Sequence, residues 1–112
     1  MPVYDTLKAA VLTQKPCIIA KPHEPQRKIC PYRIGRSDDG IMNVLYYQFE
    51  GYTSRPSGLK PDGDSANWRC NHVADIEFAE ITQGNWHEPL QKPKKRGPCI
   101  ADLCDAEVKN YY

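Results

Sequence analysis

The sequence lacks any long apolar run, and this argues against a protein that crosses a membrane with a helix. No stretch approaches the roughly 20 consecutive apolar residues that a membrane-spanning helix needs. The first residues, Met1-Pro2-Val3-Tyr4-Asp5, also lack the basic and apolar regions of a signal peptide. The sequence therefore predicts a cytoplasmic protein with no membrane partner.

An excess of charge is missing as well. The chain has 15 Lys and Arg residues against 14 Asp and Glu residues, for a net charge of +1. No field around the whole molecule would attract nucleic acid or an anionic membrane, so any basic patch must be local. A length of 112 residues suits one small core, and the 10 prolines indicate that part of the chain does not pack.

Familiar catalytic motifs are absent. There is no Gly-x-Ser-x-Gly elbow, no glycine-rich phosphate loop and no His-Glu-x-x-His motif. The chain has 5 Cys, but an odd number without an export signal argues for reduced, free thiols. Without a partner that activates them, such thiols are inert. We therefore expect a binding protein and not an enzyme.

Metal-ligand spacing is nearly absent too. Cys70 and His72 are two residues apart, so on a strand they would face the same side and could both bind zinc. No Cys-x-x-Cys pair occurs, and Cys99 and Cys104 are separated by four residues in a tail without pattern. We predict no metal site and no cofactor.

The residues that are present predict one helix followed by strands. Apolar residues at helical spacing predict a helix over residues 4–14, with Asp5 or Thr6 as its N-cap and Lys15-Pro16 as its stop. Apolar or alternating runs bounded by turn residues then predict strands. These are Cys17–Ala20, Arg27–Ile34, Ile41–Phe49, the stretch from Asn67 to Ile76, and Ile76–Ile81, the last two forming a strand pair.

Turn residues separate these strands. Residues 21–26 contain two prolines and suit a turn, and Asp39-Gly40 is typical of a hairpin. Residues 51–66 hold several Gly and Pro residues and predict a long loop, and loops of that length are often functional. The stretch from Glu88 to Pro98 predicts a solvated segment, and Val108–Tyr112 predicts an edge strand.

This order of elements predicts a mainly β protein: a small SH3-like or Sm-like β-barrel with one N-terminal helix. Residues 1–88 would form the barrel domain. Residues 89–112 would form a Pro- and Lys-rich segment and a C-terminal tail.

Several short stretches also follow one another in a familiar order. After the helix come Lys21-Pro22-His23, Arg27 with Pro31-Tyr32-Arg33-Ile34-Gly35, Val44-Leu45-Tyr46-Tyr47-Gln48, and Asn67-Trp68-Arg69 leading to Val73-Ala74-Asp75-Ile76. From about Leu7 to Ile81 this order resembles the WYL domain. The resemblance implies an Sm-like or SH3-like barrel that senses a ligand, a module mostly attached to winged-helix transcription regulators in bacteria. The Trp-Tyr-Leu triplet itself is absent and no winged helix precedes the domain, so the resemblance implies a stand-alone version.

The candidate binding residues combine arginines with aromatic side chains. A guanidinium offers a planar fork of donors that matches phosphate or carboxylate. The candidate anion contacts are therefore Arg27, Arg33, Arg36, Arg55 and Arg69. Aromatic rings could stack on bases, namely those of Tyr46, Tyr47 and Trp68. The resemblance adds weight to Arg69 and to Tyr47-Gln48. The predicted ligand-binding set is Arg27, Arg33, Tyr47, Gln48, Trp68 and Arg69.

Two functions stay open. The first is a sensor or regulatory module that binds a nucleotide or a short single-stranded nucleic acid through this arginine and aromatic face. The second is a protein-interaction or oligomerisation module without a small-molecule ligand, because small barrels commonly protect their edges by pairing with a second copy or another protein. For the residues themselves, the plainer alternative is that the aromatics form the core and the arginines are solvated. The basic run Lys92–Arg96 could contact nucleic acid, although short charge runs are usually only solvated.

Overall fold

The computed structural model describes residues 2–89, 91–93, 99–109 and 111. Within them, one helix packs with six strands that form a single antiparallel sheet. The prediction of a mainly β protein with one N-terminal helix is confirmed. The elements are α1 (Val3–Thr13), β1 (Cys17–Ala20), β2 (Arg27–Arg36), β3 (Met42–Gly51), β4 (Trp68–His72), β5 (Phe78–Ile81) and β6 (Ala106–Glu107).

Helix α1 begins at a proline and not at a polar cap. Pro2 occupies the N-cap position, and its carbonyl accepts a hydrogen bond from the N–H of Thr6. The predicted cap at Asp5 or Thr6 is therefore wrong, because both residues lie inside the first turn and Thr6 is buried. Among the described residues, no helix combines the length and apolar character that crossing a membrane would require.

Strand β2 organises the sheet because other strands pair with both of its edges. Strand β3 follows one edge along its length, while β1 pairs with the first half of the other edge and β6 with the second half. The pairing of β2 with β3 shifts register after Lys28 and again after Pro31. Pro31 has no N–H to donate, so an irregularity is well tolerated there.

The predicted barrel is not closed. The strand order β4-β3-β2-β1-β5 leaves β4 and β5 at opposite edges, and in the part of the chain that the structure describes these two strands do not pair. The predicted pairing of Asn67–Ile76 with Ile76–Ile81 is wrong, because a 3-10 turn at Val73–Asp75 redirects the chain and β5 pairs with β1. Closure requires edge strands that tilt until they meet, and β4 and β5 have only 5 and 4 residues.

The C-terminal tail forms a strand earlier than predicted. Strand β6 pairs with β2, and the N–H of Val108 then donates to the carbonyl of Tyr32 at 3.0 Å. Of the predicted edge strand, Asn110 and Tyr112 lie outside the described residues, as do residues 94–96 of the basic run.

A disulfide corrects the prediction of five free thiols. Cys70 in β4 is bonded to Cys99, with the two Cα atoms 6.1 Å apart, whereas Cys17, Cys30 and Cys104 are free. The bonded cysteines are 29 residues apart, and only the return of the C-terminal segment to the sheet brings them together. Disulfides persist mainly in oxidising surroundings, so this bond gives no support to the predicted cytoplasmic location, which stays a prediction.

Candidate functional site

The six predicted binding residues do not form one face. Tyr47 lies opposite Trp68 across β3 and β4, and the next pair along is Tyr46 with Arg69. Successive side chains of a strand point to opposite faces, so Trp68 and Arg69 lie on different sides of the sheet. Arg27 lies with Arg69, since its guanidinium contacts the hydroxyl of Tyr46.

The side of the sheet that carries Trp68 is covered by other segments of the chain. We call it the covered face, and it consists of Arg33, Tyr47 and Trp68, together with Tyr32, which joins them because it lies at the register shift after Pro31. The rings of Tyr47 and Trp68 meet edge to face, 5.6 Å apart. The Tyr47 hydroxyl donates to Oδ1 of Asp62 at 2.6 Å, and Nε1 of Trp68 donates to the carbonyl of Gln91 at 2.9 Å. These contacts engage both rings within the protein.

Arg33 is held on the covered face as well. Its side chain is 1% exposed, and Nε pairs with Oε1 of Glu107 at 2.8 Å. Nη2 donates to the carbonyls of Ala101 and Asp102, each at 3.3 Å, and the guanidinium lies 5.7 Å from the ring of Tyr111. Arg33 therefore anchors the C-terminal segment to the sheet and is not presented to a ligand.

Three other arginines converge on the opposite side. We call Arg27, Arg55 and Arg69 the arginine cluster. Nη1 of Arg55 donates to the carbonyl of Ala66 at 2.9 Å, and Nη1 of Arg69 donates to the same oxygen. Two guanidinium groups that share one acceptor bring like charges close together. Arg27 approaches from β2 and donates to the Tyr46 hydroxyl at 3.3 Å.

The positive charge of the cluster is only partly balanced. Burial lowers the pKa of the Arg69 guanidinium below its usual range, and the charges of Arg55 and Arg27 lower it further. Glu24 places Oε1 3.1 Å from Nη2 of Arg27. Within the described residues, no carboxylate forms an ion pair with Arg55 or Arg69. Arginine stays protonated at physiological pH, so three guanidinium groups and one carboxylate leave two positive charges in excess.

Two polar atoms at the cluster have no hydrogen-bond partner among the described residues. They are Nε of Arg27, whose residue is 3% exposed, and Oε1 of the fully buried Gln48. The Gln48 amide nitrogen donates to the carbonyl of Tyr52 at 2.7 Å, and the Tyr52 ring lies 5.6 Å from the Arg27 guanidinium. Buried polar atoms are nearly always satisfied, so each of these two atoms has the capacity for one further hydrogen bond.

The structure thus brings together Arg27, Gln48 and Arg69 of the predicted set, and it places Arg33, Tyr47 and Trp68 on the covered face. Sequence reasoning named Arg55 only as a general anion contact and omitted Glu24 and Tyr52. Glu24 precedes Arg27 by three residues, and that short spacing was the available indication. Nothing local indicated Tyr52, whose position follows from the pairing of Arg27 with Gly51 across β2 and β3.

A second polar pair lies beside the covered face. Nδ1 of His87 is 2.8 Å from Oδ2 of Asp62, and the His87 ring stacks on Phe49 with centroids 3.9 Å apart. The backbone N–H of His87 contacts the sulfur of Cys30, and the backbone carbonyl of His87 accepts a hydrogen bond from the Tyr32 hydroxyl. These bonds fasten the segment after β5 to the sheet, so we regard the pair as structural.

An open groove of about 470 Å³ lies between Tyr4, Met42 and Val73. Its polar groups have partners: the Tyr4 hydroxyl donates to Asp105, and Nη1 of Arg36 donates to the carbonyl of Gly40. The groove has a mostly apolar lining and no excess of charge, so the arginine cluster is the stronger candidate.

Metal and thiol chemistry find little support. Cys70 is part of the disulfide and so does not form a ligand pair with His72. In the described ranges, no group of three or more His, Cys, Asp or Glu side chains could hold a metal ion. Burial raises the pKa of Cys17 and of Cys30 to about 12, so neither thiol has the thiolate character of an activated nucleophile.

Known proteins do not extend this description. Comparisons with protein-family models, with curated proteins and with solved structures found no match to this chain. The resemblance to the WYL domain stays a prediction from short motifs, and the candidate site stands on geometry and charge.

Proposed function

We propose that the protein is a binding module for a nucleotide or a short single-stranded nucleic acid, with a phosphate held by the arginine cluster. The observation that carries the proposal is the excess of two positive charges among Arg27, Arg55 and Arg69. Holding like charges together in a partly desolvated place costs free energy. A bound anion would offset that cost.

Phosphate suits the cluster because a guanidinium fork can bond two of its oxygens at once. Tyr52, half-buried beside Arg27, offers a ring for a base, in place of the predicted Tyr47 and Trp68. The buried Gln48 has an unpartnered acceptor, Oε1, and its amide nitrogen bonds the carbonyl of Tyr52.

The regulatory part of the proposal comes from the order of motifs that resembles the WYL domain. In this view the open sheet is a relative of the SH3-like or Sm-like barrel. The protein would then report the bound ligand to a transcription regulator.

Fluorescence anisotropy of a labelled single-stranded oligonucleotide tests the proposal. Binding should weaken as salt rises, because phosphate contacts release counterions. Arg69→Ala should weaken binding about tenfold or more, since a hydrogen bond to a charged group contributes roughly 1.5–3 kcal/mol. Arg36→Ala is the matched control, because this exposed arginine lies outside the cluster. An affinity that responds neither to salt nor to Arg69→Ala would refute the proposal.

A second candidate function, protein interaction, rests on the sheet edge at β5. Among the described residues β5 pairs with β1 alone, and Phe78 at its start is 39% exposed. An open edge with an exposed aromatic side chain can accept a strand from a second copy. Sedimentation velocity tests this: a dimer that Phe78→Lys dissociates would favour it, and a monomer at every concentration would remove the homodimer.

A further inference from the structure

We infer that the arginine cluster recognises a terminal phosphate, the monoester at the end of a nucleotide or nucleic-acid strand, in preference to the internal diester of the backbone. This rests on the proposed function and names the ligand class for the same site. Three features of the cluster support it: its charge, its graded burial and the way its donors are held.

The charge of the cluster matches a dianion. Three guanidinium groups and the carboxylate of Glu24 leave two positive charges. A phosphate monoester carries about −1.5 to −2 at pH 7. An internal diester carries a single negative charge, so it would leave one guanidinium charge unbalanced in a partly buried place. A monoester leaves almost none.

Burial is graded across the cluster. Arg27 is 3% exposed, Arg69 is half-buried and Arg55 is exposed. An internal diester is flanked by sugars on both sides, so it can lie against the outer two arginines but cannot approach the inner one. A terminal phosphate is narrow and has three non-bridging oxygens, one for each guanidinium. Arg27 forms the innermost part of the cluster, and its Nε is buried and unpartnered among the described residues.

The outer two guanidinium groups are held in place without an ion pair to any carboxylate of the described residues. Both Arg55 and Arg69 are tied to the carbonyl of Ala66 through Nη1. A guanidinium has five N–H donors, so this bond orients each group and leaves further donors for a ligand. Arg33 provides the contrast, because Glu107 already neutralises its charge.

The test compares oligonucleotides of one sequence that carry a 5′ phosphate, a 3′ phosphate or neither, as competitors in the anisotropy assay at fixed salt. A phosphorylated end should bind about tenfold tighter, the effect of one further charge-assisted hydrogen bond. Arg55→Ala and Arg69→Ala should abolish this preference, and Arg36→Ala should retain it. Circular dichroism checks that each variant is folded.

Two further competitors separate the sources of the phosphate. Displacement by inorganic phosphate and by a nucleoside 5′-monophosphate would show that the phosphate group is enough. Displacement by the monophosphate alone would show that the base or sugar contributes as well. Either result supports recognition of a monoester.

The failures are distinguishable. Equal affinity for phosphorylated and unphosphorylated oligonucleotides, both lost in Arg69→Ala, would overturn the terminal-phosphate inference and leave the proposed function standing. No binding of any oligonucleotide by the folded protein, together with no rise of its melting temperature on addition of a nucleoside 5′-monophosphate, would overturn both. A phosphate preference that survives Arg55→Ala and Arg69→Ala would place the phosphate elsewhere and overturn the inference.

Discussion

Arg33 and Arg69 lie on opposite sides of the sheet and have different surroundings. On the covered face, Glu107 and two backbone carbonyls hold the Arg33 guanidinium. On the other side, within the described residues, Arg69 bonds to backbone carbonyls alone, and burial and the charges of Arg55 and Arg27 lower its pKa. Segments that return from far along the chain satisfy the covered face. In the part of the chain that the structure describes, the arginine cluster receives no such segment, and its excess charge stays unbalanced.

Removing Arg33 should have the largest effect on stability. We expect Arg33→Ala to lower the free energy of unfolding by about 3–5 kcal/mol, because it breaks a buried ion pair and releases the C-terminal segment. Urea unfolding followed by tryptophan fluorescence measures this. Arg36→Ala, exposed on the same strand, is the control and should change stability by less than about 0.5 kcal/mol. Equal effects of the two variants would mean that Arg33 does not anchor the segment.

The disulfide should come next, because it ties β4 to the segment that surrounds Arg33. Cys99→Ser should cost about 3 kcal/mol, since a cross-link over 29 residues restricts the unfolded chain. Thermal unfolding with and without reductant measures it, and Cys104→Ser, which alters a free thiol, is the control. A melting temperature that reductant leaves unchanged would contradict a stabilising disulfide between Cys70 and Cys99.

A smaller effect is expected from one hydroxyl on the covered face. Tyr47→Phe should cost about 1–2 kcal/mol, because the hydroxyl donates to Asp62 and accepts from the N–H of Gly63. Tyr4→Phe removes a comparable bond to Asp105 at the surface and should cost less. Urea unfolding of the two variants should rank them in that order.

The same variant should change the response to acid. The hydrogen bond from Tyr47, followed by that from His87, holds the pKa of Asp62 below its usual value of 3.8. A carboxyl group with a lowered folded pKa stabilises the protein above its unfolded pKa and loses that contribution as pH falls through the folded value. Tyr47→Phe should therefore lose less stability than the parent protein below about pH 4. The measurement is the free energy of unfolding of both proteins as the pH is lowered below about 4. An equal loss of stability in the two proteins would contradict the prediction.

The smallest effect on stability should be that of Arg69→Ala. The variant loses two hydrogen bonds to carbonyls but also relieves repulsion with Arg55 and Arg27, so the net change should be about 1 kcal/mol or less. Urea unfolding measures it beside Arg33→Ala. A loss as large as that of Arg33→Ala would mean that Arg69 is structural and would weaken the case for a ligand site.

Local residue patterns accounted for most of the elements. The apolar run Ile41–Phe49 predicted β3, and Asp39-Gly40 predicted the turn before it, because strand and turn preferences depend on a few neighbouring residues. The same local patterns could not predict which strands pair. A short turn after β4 sends the chain to the far edge of the sheet, where β5 meets β1.

The candidate site also combines features that follow from local sequence with features that depend on the tertiary structure. That aromatic residues lie along β3 and that Trp68 and Arg69 are neighbours in β4 is a property of the sequence, and the two-residue period of a strand already separates Trp68 from Arg69. What balances each charge is a property of the folded chain. Glu107 lies far from Arg33 in sequence and no local preference brings it there, so only the packing of distant segments leaves Arg33 neutralised and Arg69 without a carboxylate among the described residues.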